Sequence, residues 1–150
     1  MPTLPHLRIV IVDDDPQQAQ LYDAKLNNRF GTEVEITTFT DSERAAEHLD
    51  DHLVDVLITD LRMPHIDGIE LIRIANNRSA SAQILVMTAT STSDSLVDAA
   101  EAGATDYLLK PFSIDVLVEL VVEARRRLGR WRSALAATFH QGKPFVHLDC

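Results

Sequence analysis

The chain has 150 residues with 14 Lys and Arg against 23 Asp and Glu, a formal net charge of −9 at pH 7. This length suits one domain with a sizeable core, and a composition of 45% hydrophobic and 25% charged residues argues against general disorder. The single cysteine, Cys150, excludes an internal disulfide and favours a reducing, cytoplasmic compartment. No apolar run approaches the ~20 residues of a membrane-spanning helix, and the negative charge argues against direct binding to nucleic acid or an anionic membrane.

The first part of the chain alternates strand-like and helix-like segments. The β-branched run 7–12 predicts a strand, and Asp15 followed by Pro16 predicts the start of a helix. Apolar residues at helical spacing mark the buried face of that helix: Ala19, Tyr22, Leu26 and Phe30. The alternating segment 33–37 predicts a half-buried second strand, and either residue of the pair 41–42 would cap a short second helix.

The second part continues the alternation. Three more strands are predicted at 53–59, 84–87 and 105–109, and they lead into Asp60, Thr88 and Lys110. A helix over 66–75 lies between the first two of these strands, and another begins at a cap formed by Ser93 or Asp94 and ends before Gly103. Apolar residues at 114, 117, 121, 124 and 128 predict a long final helix.

Five strands alternating with five helices predict an α/β fold with a parallel sheet. The runs 9–12, 54–58 and 84–87 are almost continuously apolar, as expected for interior strands covered on both faces. The second and fifth strands are more polar, so we expect them at the edges. A cluster of arginines over 125–132 is interpreted as the solvated, charge-complemented end of the last helix.

Polar residues follow the predicted strands where each one ends. These residues are Asp13, Asp14, Asp60, Thr88 and Lys110. In an open parallel sheet the ligand crevice lies outside the carboxyl ends of the strands, so we expect these side chains to meet. Carboxylates brought close together repel one another, so either the pKa of one of them rises or a cation must bind between them. Oxygen ligands without a histidine or cysteine cluster favour Mg²⁺ over zinc.

This set of groups suits phosphoryl transfer to a carboxylate. An aspartate beside Mg²⁺ can attack phosphorus and form an acyl phosphate. The cation, the Lys110 ammonium and the Thr88 hydroxyl would then each stabilise one phosphoryl oxygen. Ala89 is small and would leave room for the group. The residues therefore favour reversible phosphorylation of an aspartate over ordinary hydrolysis.

Four segments carry a family resemblance: IVDDD at 11–15, LITDLRMPHIDG at 57–68, MTA at 87–89, and GATDYLLKPF at 103–112. In this order and spacing, the chain resembles the receiver domain of response regulators, the CheY-like family of two-component signalling. The resemblance covers about residues 7–128. It implies a flavodoxin-like three-layer (βα)5 sandwich with an open parallel sheet of strand order 2-1-3-4-5, followed here by an extended C-terminal helix.

The resemblance also implies roles for the strand-end residues. Asp60 would be the phosphoacceptor, charged by a histidine kinase or a histidine phosphotransfer protein. Asp14, Asp60 and the backbone carbonyl of Arg62 would ligate Mg²⁺, with Asp13 assisting through water. The protein would then be a signalling switch and not an enzyme, with at most slow self-catalysed phosphorylation and dephosphorylation.

The same resemblance predicts how the switch responds. Thr88 and Lys110 would contact the phosphoryl group, and Tyr107 would be the aromatic switch that follows Thr88 inward. A cis Lys110–Pro111 bond would direct the lysine at the site. The face formed by the fourth helix, fifth strand and fifth helix would change for partner binding or dimerisation. Arg62, Ala89 and Thr90 would flank the site. Arg62 and Thr90 depart from the commonest family pattern, and their side chains would flank the path of an attacking water.

We expect one receiver domain over 1–128 and a helical extension or tail over 129–150 without a separate domain. Apolar residues continue the spacing of the last helix: Leu128, Trp131, Leu135 and Phe139. Gly129 weakens but does not forbid this continuation, and Gly142 before Pro144 is the stronger stop. Because an exposed stripe would be unfavourable, we expect the domain, a partner or another protomer to cover it, and favour self-association.

Two other functions remain open. A phosphatase of the haloacid-dehalogenase type also uses an aspartate nucleophile and Mg²⁺, but its Asp-x-Asp-x-Thr/Val motif would need Thr or Val where this chain has Gln17. Alternatively, the chain is the regulatory part of a longer protein with a DNA-binding or enzymatic output. The segment after residue 128 is too short for an independent output domain.

Overall fold

The computed structural model describes residues 6–89 and 92–140. Within these ranges the strands are β1 Leu7–Val12, β2 Val34–Phe39, β3 Val56–Asp60, β4 Gln83–Thr88 and β5 Asp106–Leu109. The α-helices are α1 Pro16–Phe30, α2 Ser42–Asp51, α3 Gly68–Arg78, α4 Ser93–Ala102 and α5 Ile114–His140, and a 3₁₀ turn spans Gly31–Glu33. The predicted alternation of strands and helices is confirmed.

The strands form one parallel sheet of order β2-β1-β3-β4-β5, as predicted. Every residue of β3 and β4 is buried, whereas β2 and β5 are partly exposed edge strands. The register pairs Asp60 with Met87 and Thr88 with Leu109. The carboxyl ends of β3, β4 and β5 therefore lie side by side at one edge of the sheet.

Helices cover both faces of the sheet, because successive strand side chains point to opposite sides. On one face, α1 and α5 pack on strand residues that include Ile9, Ile11, Ile58 and Leu85. On the other face, α2, α3 and α4 pack on strand residues that include Val10, Val12, Leu57 and Ile84. The buried face predicted for α1 is confirmed in full.

Side-chain caps fix the helix starts. Asp15 accepts a hydrogen bond from the backbone N–H of Gln17, and Asp41 caps α2 in the same way. The predicted cap of α4 is wrong, because the hydroxyl of Thr92 accepts from the backbone N–H of Ser95. Ser93 and Asp94 therefore lie inside the first turn.

Several element boundaries also differ from the prediction, and at two of them, the starts of β3 and α3, side chains hold the preceding backbone. The N–H of Val54 donates to the Ser79 hydroxyl at 3.2 Å, and β3 begins three residues later than predicted. The N–H of Ile66 donates to the Ser42 hydroxyl at 3.1 Å, which holds Ile66 in the loop. Asp67 then caps α3, which begins two residues later than predicted.

Helix α5 passes through Gly129 without a break, which confirms the extended final helix. Leu128 is buried on the sheet, but Trp131 is 60% exposed. The domain therefore does not cover the whole apolar stripe. The side chain of Phe139 and the predicted stop at Gly142 and Pro144 lie outside the described residues. Although α5 has 27 residues, no helix in the described ranges is long and apolar enough to cross a membrane.

The arginine cluster of α5 is not simply a solvated face, so that interpretation is wrong for three of its members. Arg125 lies over the ring of Phe30 and 3.5 Å from Glu33. Arg127 donates from Nε to the Gln83 side chain at 2.7 Å, and Arg132 donates to Asp55 at 2.7 Å. Sequence spacing could not show these contacts, because each partner lies in a distant element.

The carboxylate of Asp55 joins the extension of α5 to the sheet. It is 3% exposed and lies just before β3, at the amino ends of the strands. It accepts hydrogen bonds from the backbone N–H of Arg8 at 2.8 Å, from the Arg8 guanidinium at 3.2 and 3.3 Å, and from Arg132 Nη2 at 2.7 Å. We call this three-residue contact the Asp55 clamp.

We expect Asp55→Ala to lower the free energy of unfolding by about 2 kcal/mol, because it leaves the backbone N–H of Arg8 and two partly exposed guanidiniums without their acceptor. Urea denaturation measures this change. Glu70→Ala is the matched control, since it removes an exposed ion pair with Arg73 and is expected to cost at most about 0.5 kcal/mol. Equal losses from the two variants would contradict a structural role for the clamp.

Candidate functional site

A cavity of about 450 Å³ opens at the carboxyl edge of the sheet. Its lining comes from the end of β3, from α1, from the first residue of α5, and from the segments that follow β1, β4 and β5. The residues are Asp13, Asp14, Asp15, Gln18, Leu21, Tyr22, Asp60, Ala89, Lys110, Pro111, Phe112 and Ile114. Most of the predicted strand-end residues therefore converge on one cavity.

Three carboxylates form the acidic wall of this cavity. One oxygen each from Asp13, Asp14 and Asp60 lies within 4.8 Å of the others. Asp13 is 1% and Asp60 9% exposed, whereas Asp14 is exposed to solvent. The cluster thus combines two buried acids with one that faces the opening.

Lys110 provides the positive charge at the centre of the site. Its Nζ donates to Asp13 Oδ2 at 2.8 Å and to Asp60 Oδ2 at 3.0 Å. Burial by itself lowers the pKa of Lys110, but the hydrogen bonds to Asp13 and Asp60 outweigh burial and raise that pKa above its ordinary value. The lysine is therefore a fixed ammonium at neutral pH.

Backbone contacts hold the two buried acids in place. Asp13 Oδ1 accepts from the backbone N–H of Asp15 at 3.0 Å, and the N–H of Arg62 donates to Asp60 Oδ1 at 3.3 Å. The Asp60 backbone itself packs against the start of α3. A Cβ at Gly68 would overlap the carbonyl oxygen of Asp60, so this close approach requires glycine.

Of the remaining predicted residues, Ala89 lines the cavity, and Thr88 is its neighbour in the chain. Thr88 is 1% exposed at the end of β4, and its carbonyl accepts from the N–H of Lys110 at 2.8 Å. The Lys110–Pro111 bond is cis, as expected. Tyr107 lies on β5 with its side chain half exposed at 52%. Thr90 lies outside the described residues.

Sequence reasoning missed one wall of the cavity. Tyr22 and Phe112 stack with ring centroids 5.5 Å apart, and the Tyr22 hydroxyl donates to Gln18 Oε1 at 2.9 Å. Burial raises the pKa of Tyr22, and the ammonium of Lys110 opposes that effect. The four-residue spacing of Gln18 and Tyr22 on α1 could have predicted the hydrogen bond between their side chains. The contact with Phe112 depends on how the segment after β5 crosses α1.

The donor set suits a hard divalent cation. Three carboxylate oxygens converge there, and no histidine or cysteine takes part within the described residues. Asp14 offers an exposed oxygen at the opening. Asp60 offers Oδ1, because Lys110 donates its hydrogen bond to Oδ2. The residues therefore fit the Mg²⁺ that the sequence predicts.

The comparisons with known proteins agree with this geometry. The family model described as "Response regulator receiver domain" matches residues 9–122. The chain belongs to this family. Among solved structures, a CheY-like receiver domain protein from Methanospirillum hungatei superposes with a TM-score of 0.76 at 24% identity, covering 83% of this chain and 98% of that one. That likeness shows the fold alone.

Curated relatives add sequence similarity across the same region. The DNA-binding transcriptional regulator NtrC of Escherichia coli K12 is 38% identical over 114 residues, which are 76% of this chain and 24% of the relative. The virulence transcriptional regulatory protein PhoP of Shigella flexneri is 33% identical over 144 residues, 93% of this chain and 59% of the relative. The chain thus spans only about a quarter of the NtrC relatives.

We expect Asp14→Ala to weaken Mg²⁺ binding by about 100-fold. Loss of an outer-shell partner lowers metal affinity by about 10–100-fold, and loss of a direct charged ligand should reach at least the upper end of that range. Titration calorimetry with MgCl₂ measures the affinity. Asp41→Asn is the control, since asparagine is an equally good helix cap at a position outside the cavity. Unchanged Mg²⁺ affinity in Asp14→Ala would refute this ligand assignment.

Proposed function

We propose that the chain is a phosphorylation-activated signalling switch in which Asp60 accepts a phosphoryl group from a histidine of a partner kinase or phosphotransfer protein. One observation carries the proposal: the Asp60 carboxylate lines the cavity with the Lys110 ammonium 3.0 Å away and two further acids beside it. Membership of the receiver family supports this assignment. A cytoplasmic location, expected from the lone cysteine, is part of the proposal.

The proposed transfer forms one bond and breaks one bond. An Asp60 carboxylate oxygen attacks phosphorus, and the P–N bond to the donor imidazole breaks with the electron pair going to nitrogen. Mg²⁺, held by Asp14, Asp60 and the Arg62 carbonyl, would neutralise phosphoryl oxygen charge. Asp13 assists this site through water and anchors Lys110. The Lys110 ammonium and the Thr88 hydroxyl stabilise the remaining oxygens, and Ala89 leaves space for them.

The response is proposed to pass to the face formed by α4, β5 and α5. Besides Trp131, four large hydrophobic residues on these elements are exposed: Val97, Tyr107, Leu109 and Val116. Movement of Thr88 toward the phosphoryl group would allow Tyr107 to turn inward. The altered face would then bind a downstream partner or a second copy of the chain.

A longer protein with an output domain is the second candidate. The NtrC relatives are DNA-binding transcriptional regulators, and the matched region is about a quarter of their length. On this proposal the same switch would control an output outside the given sequence. The negative charge of the chain still argues against direct DNA contact by residues 1–128.

Incubation with acetyl phosphate and Mg²⁺ tests the proposal. We expect a stoichiometric label that is acid-stable but labile to alkali and hydroxylamine, as an acyl phosphate is, with no sustained turnover. Chelation with EDTA should prevent labelling without unfolding the chain. Rapid catalytic hydrolysis of small phosphoesters would instead indicate a phosphatase and would overturn the switch.

A further inference from the structure

A cationic and aromatic patch lies on α5 around the point where the helix leaves the sheet. Arg127, Arg130, Trp131 and Ala134 follow i, i+3, i+4, i+7 spacing and line a shallow cavity of about 300 Å³. We call these four residues the Trp131 patch. The small side chain of Ala134 leaves the cavity open beside the indole ring.

The Trp131 patch has the composition of a binding surface. Trp131 is 60% exposed, the highest exposure among the large hydrophobic residues that the structure describes. Tryptophan and arginine are enriched at the centres of protein interfaces, where they account for much of the binding energy. Arg130 is exposed and forms no ion pair with any described residue, so its guanidinium remains available to a ligand.

The charge around the patch selects the kind of partner. Residues 124–148 contain six Lys or Arg and no Asp or Glu, whereas residues 1–123 contain eight Lys or Arg and 22 Asp or Glu. The part of the chain from residue 124 to residue 148 is thus a basic segment on an acidic chain. We propose that the Trp131 patch binds an acidic segment of a partner protein, with a carboxylate on Arg130 and a bulky apolar side chain against Trp131.

Two contacts hold this patch in a fixed orientation. The Asp55 clamp fixes Arg132, and the Gln83 side chain holds the Nε of Arg127. Both contacts lie at the amino ends of the strands, on the opposite edge of the sheet from Asp60. Because α5 runs from the phosphoacceptor edge to this edge, the acidic partner would dock away from the kinase and without blocking Asp60.

Other occupants fit the charges less well. Two extensions packed side by side would bring their arginines together without a carboxylate to compensate them, which is destabilising. Nucleic acid would meet the strongly acidic remainder of the chain, whereas a short acidic segment interacts within a Debye length of about 8 Å. This inference therefore replaces the self-association that the sequence favoured as the cover of Trp131, but it is compatible with dimerisation through the α4–β5–α5 face.

Because Trp131 is the chain's single tryptophan, its fluorescence reports directly on the patch. The probe is an acetylated ten-residue peptide of alternating glutamate and leucine, titrated into the full chain at physiological ionic strength. We expect a saturable blue shift of the Trp131 emission. Arg130→Glu should weaken binding about tenfold or more, because a charge-assisted contact becomes a repulsion. Arg44→Glu is the control, since it changes an exposed arginine on α2 by the same charge.

Several results would overturn the inference. Equal weakening by Arg130→Glu and Arg44→Glu would show a general charge effect. A similar shift with a lysine–leucine peptide would remove the charge selectivity, and tighter binding of a DNA duplex would favour nucleic acid. A shift that depends on chain concentration alone would favour a second copy. Emission that is already blue and does not respond to the peptide would mean that the chain itself covers Trp131.

Discussion

Asp60→Asn is expected to abolish uptake of the phosphoryl group while leaving the fold intact. An amide cannot act as the carboxylate nucleophile, so no acyl phosphate can form at this position. The substitution keeps the side-chain size and retains an oxygen that can accept from Lys110 or from the N–H of Arg62. Phosphate incorporation from acetyl phosphate, measured by intact-mass spectrometry, should fall to background.

Asp67→Asn is the matched control for this experiment. Asp67 lies at the end of the loop that follows Asp60 and caps α3, and asparagine caps a helix about as well as aspartate. We therefore expect native labelling from the control and native circular dichroism from both variants. Labelling of Asp60→Asn at the native rate would show that another residue is the phosphoacceptor.

Most of the fold could be predicted from the sequence, because the local spacing of apolar residues agrees with the burial of each strand and helix in the tertiary structure. The continuously apolar runs in β1, β3 and β4 predicted interior strands, and the apolar spacing of α1 predicted its buried face. Boundaries were less predictable where distant side chains bind the backbone. The hydroxyl of Ser79 holds Val54, and that of Ser42 holds Ile66, over separations of 25 and 24 residues.

The site was predictable as a set of residues but not as a set of contacts. Parallel strands bring their carboxyl ends to one edge, so Asp13, Asp60 and Lys110 could be placed together from the sequence. The bonds from Lys110 to both acids span 97 and 50 residues and depend on the tertiary geometry. The role of Arg132 was missed for the same reason, since a surface arginine and a clamped arginine look alike in sequence.

Lys110→Ala is expected to lower the free energy of unfolding by about 3–5 kcal/mol when no divalent cation is present. The substitution leaves the buried carboxylates of Asp13 and Asp60 side by side without the ammonium that joins them. Added MgCl₂ should restore part of the loss, because a bound cation stabilises the folded state by mass action. Urea denaturation with EDTA and with MgCl₂ measures both effects. Lys25→Ala, at an exposed position on α1, is the control and should change little.

The same variant separates phosphorylation from the response. Asp60 remains available in Lys110→Ala, so we expect labelling by acetyl phosphate with MgCl₂ at a reduced rate. On the proposed mechanism Lys110 links the phosphoryl group to β5, so Lys110→Ala should lose the response. The same loss is expected of Thr88→Ala on β4. Sedimentation or partner binding before and after labelling, on the native chain and both variants, measures the response. If labelled Lys110→Ala and Thr88→Ala respond as the native chain does, the proposed coupling through β4 and β5 is wrong.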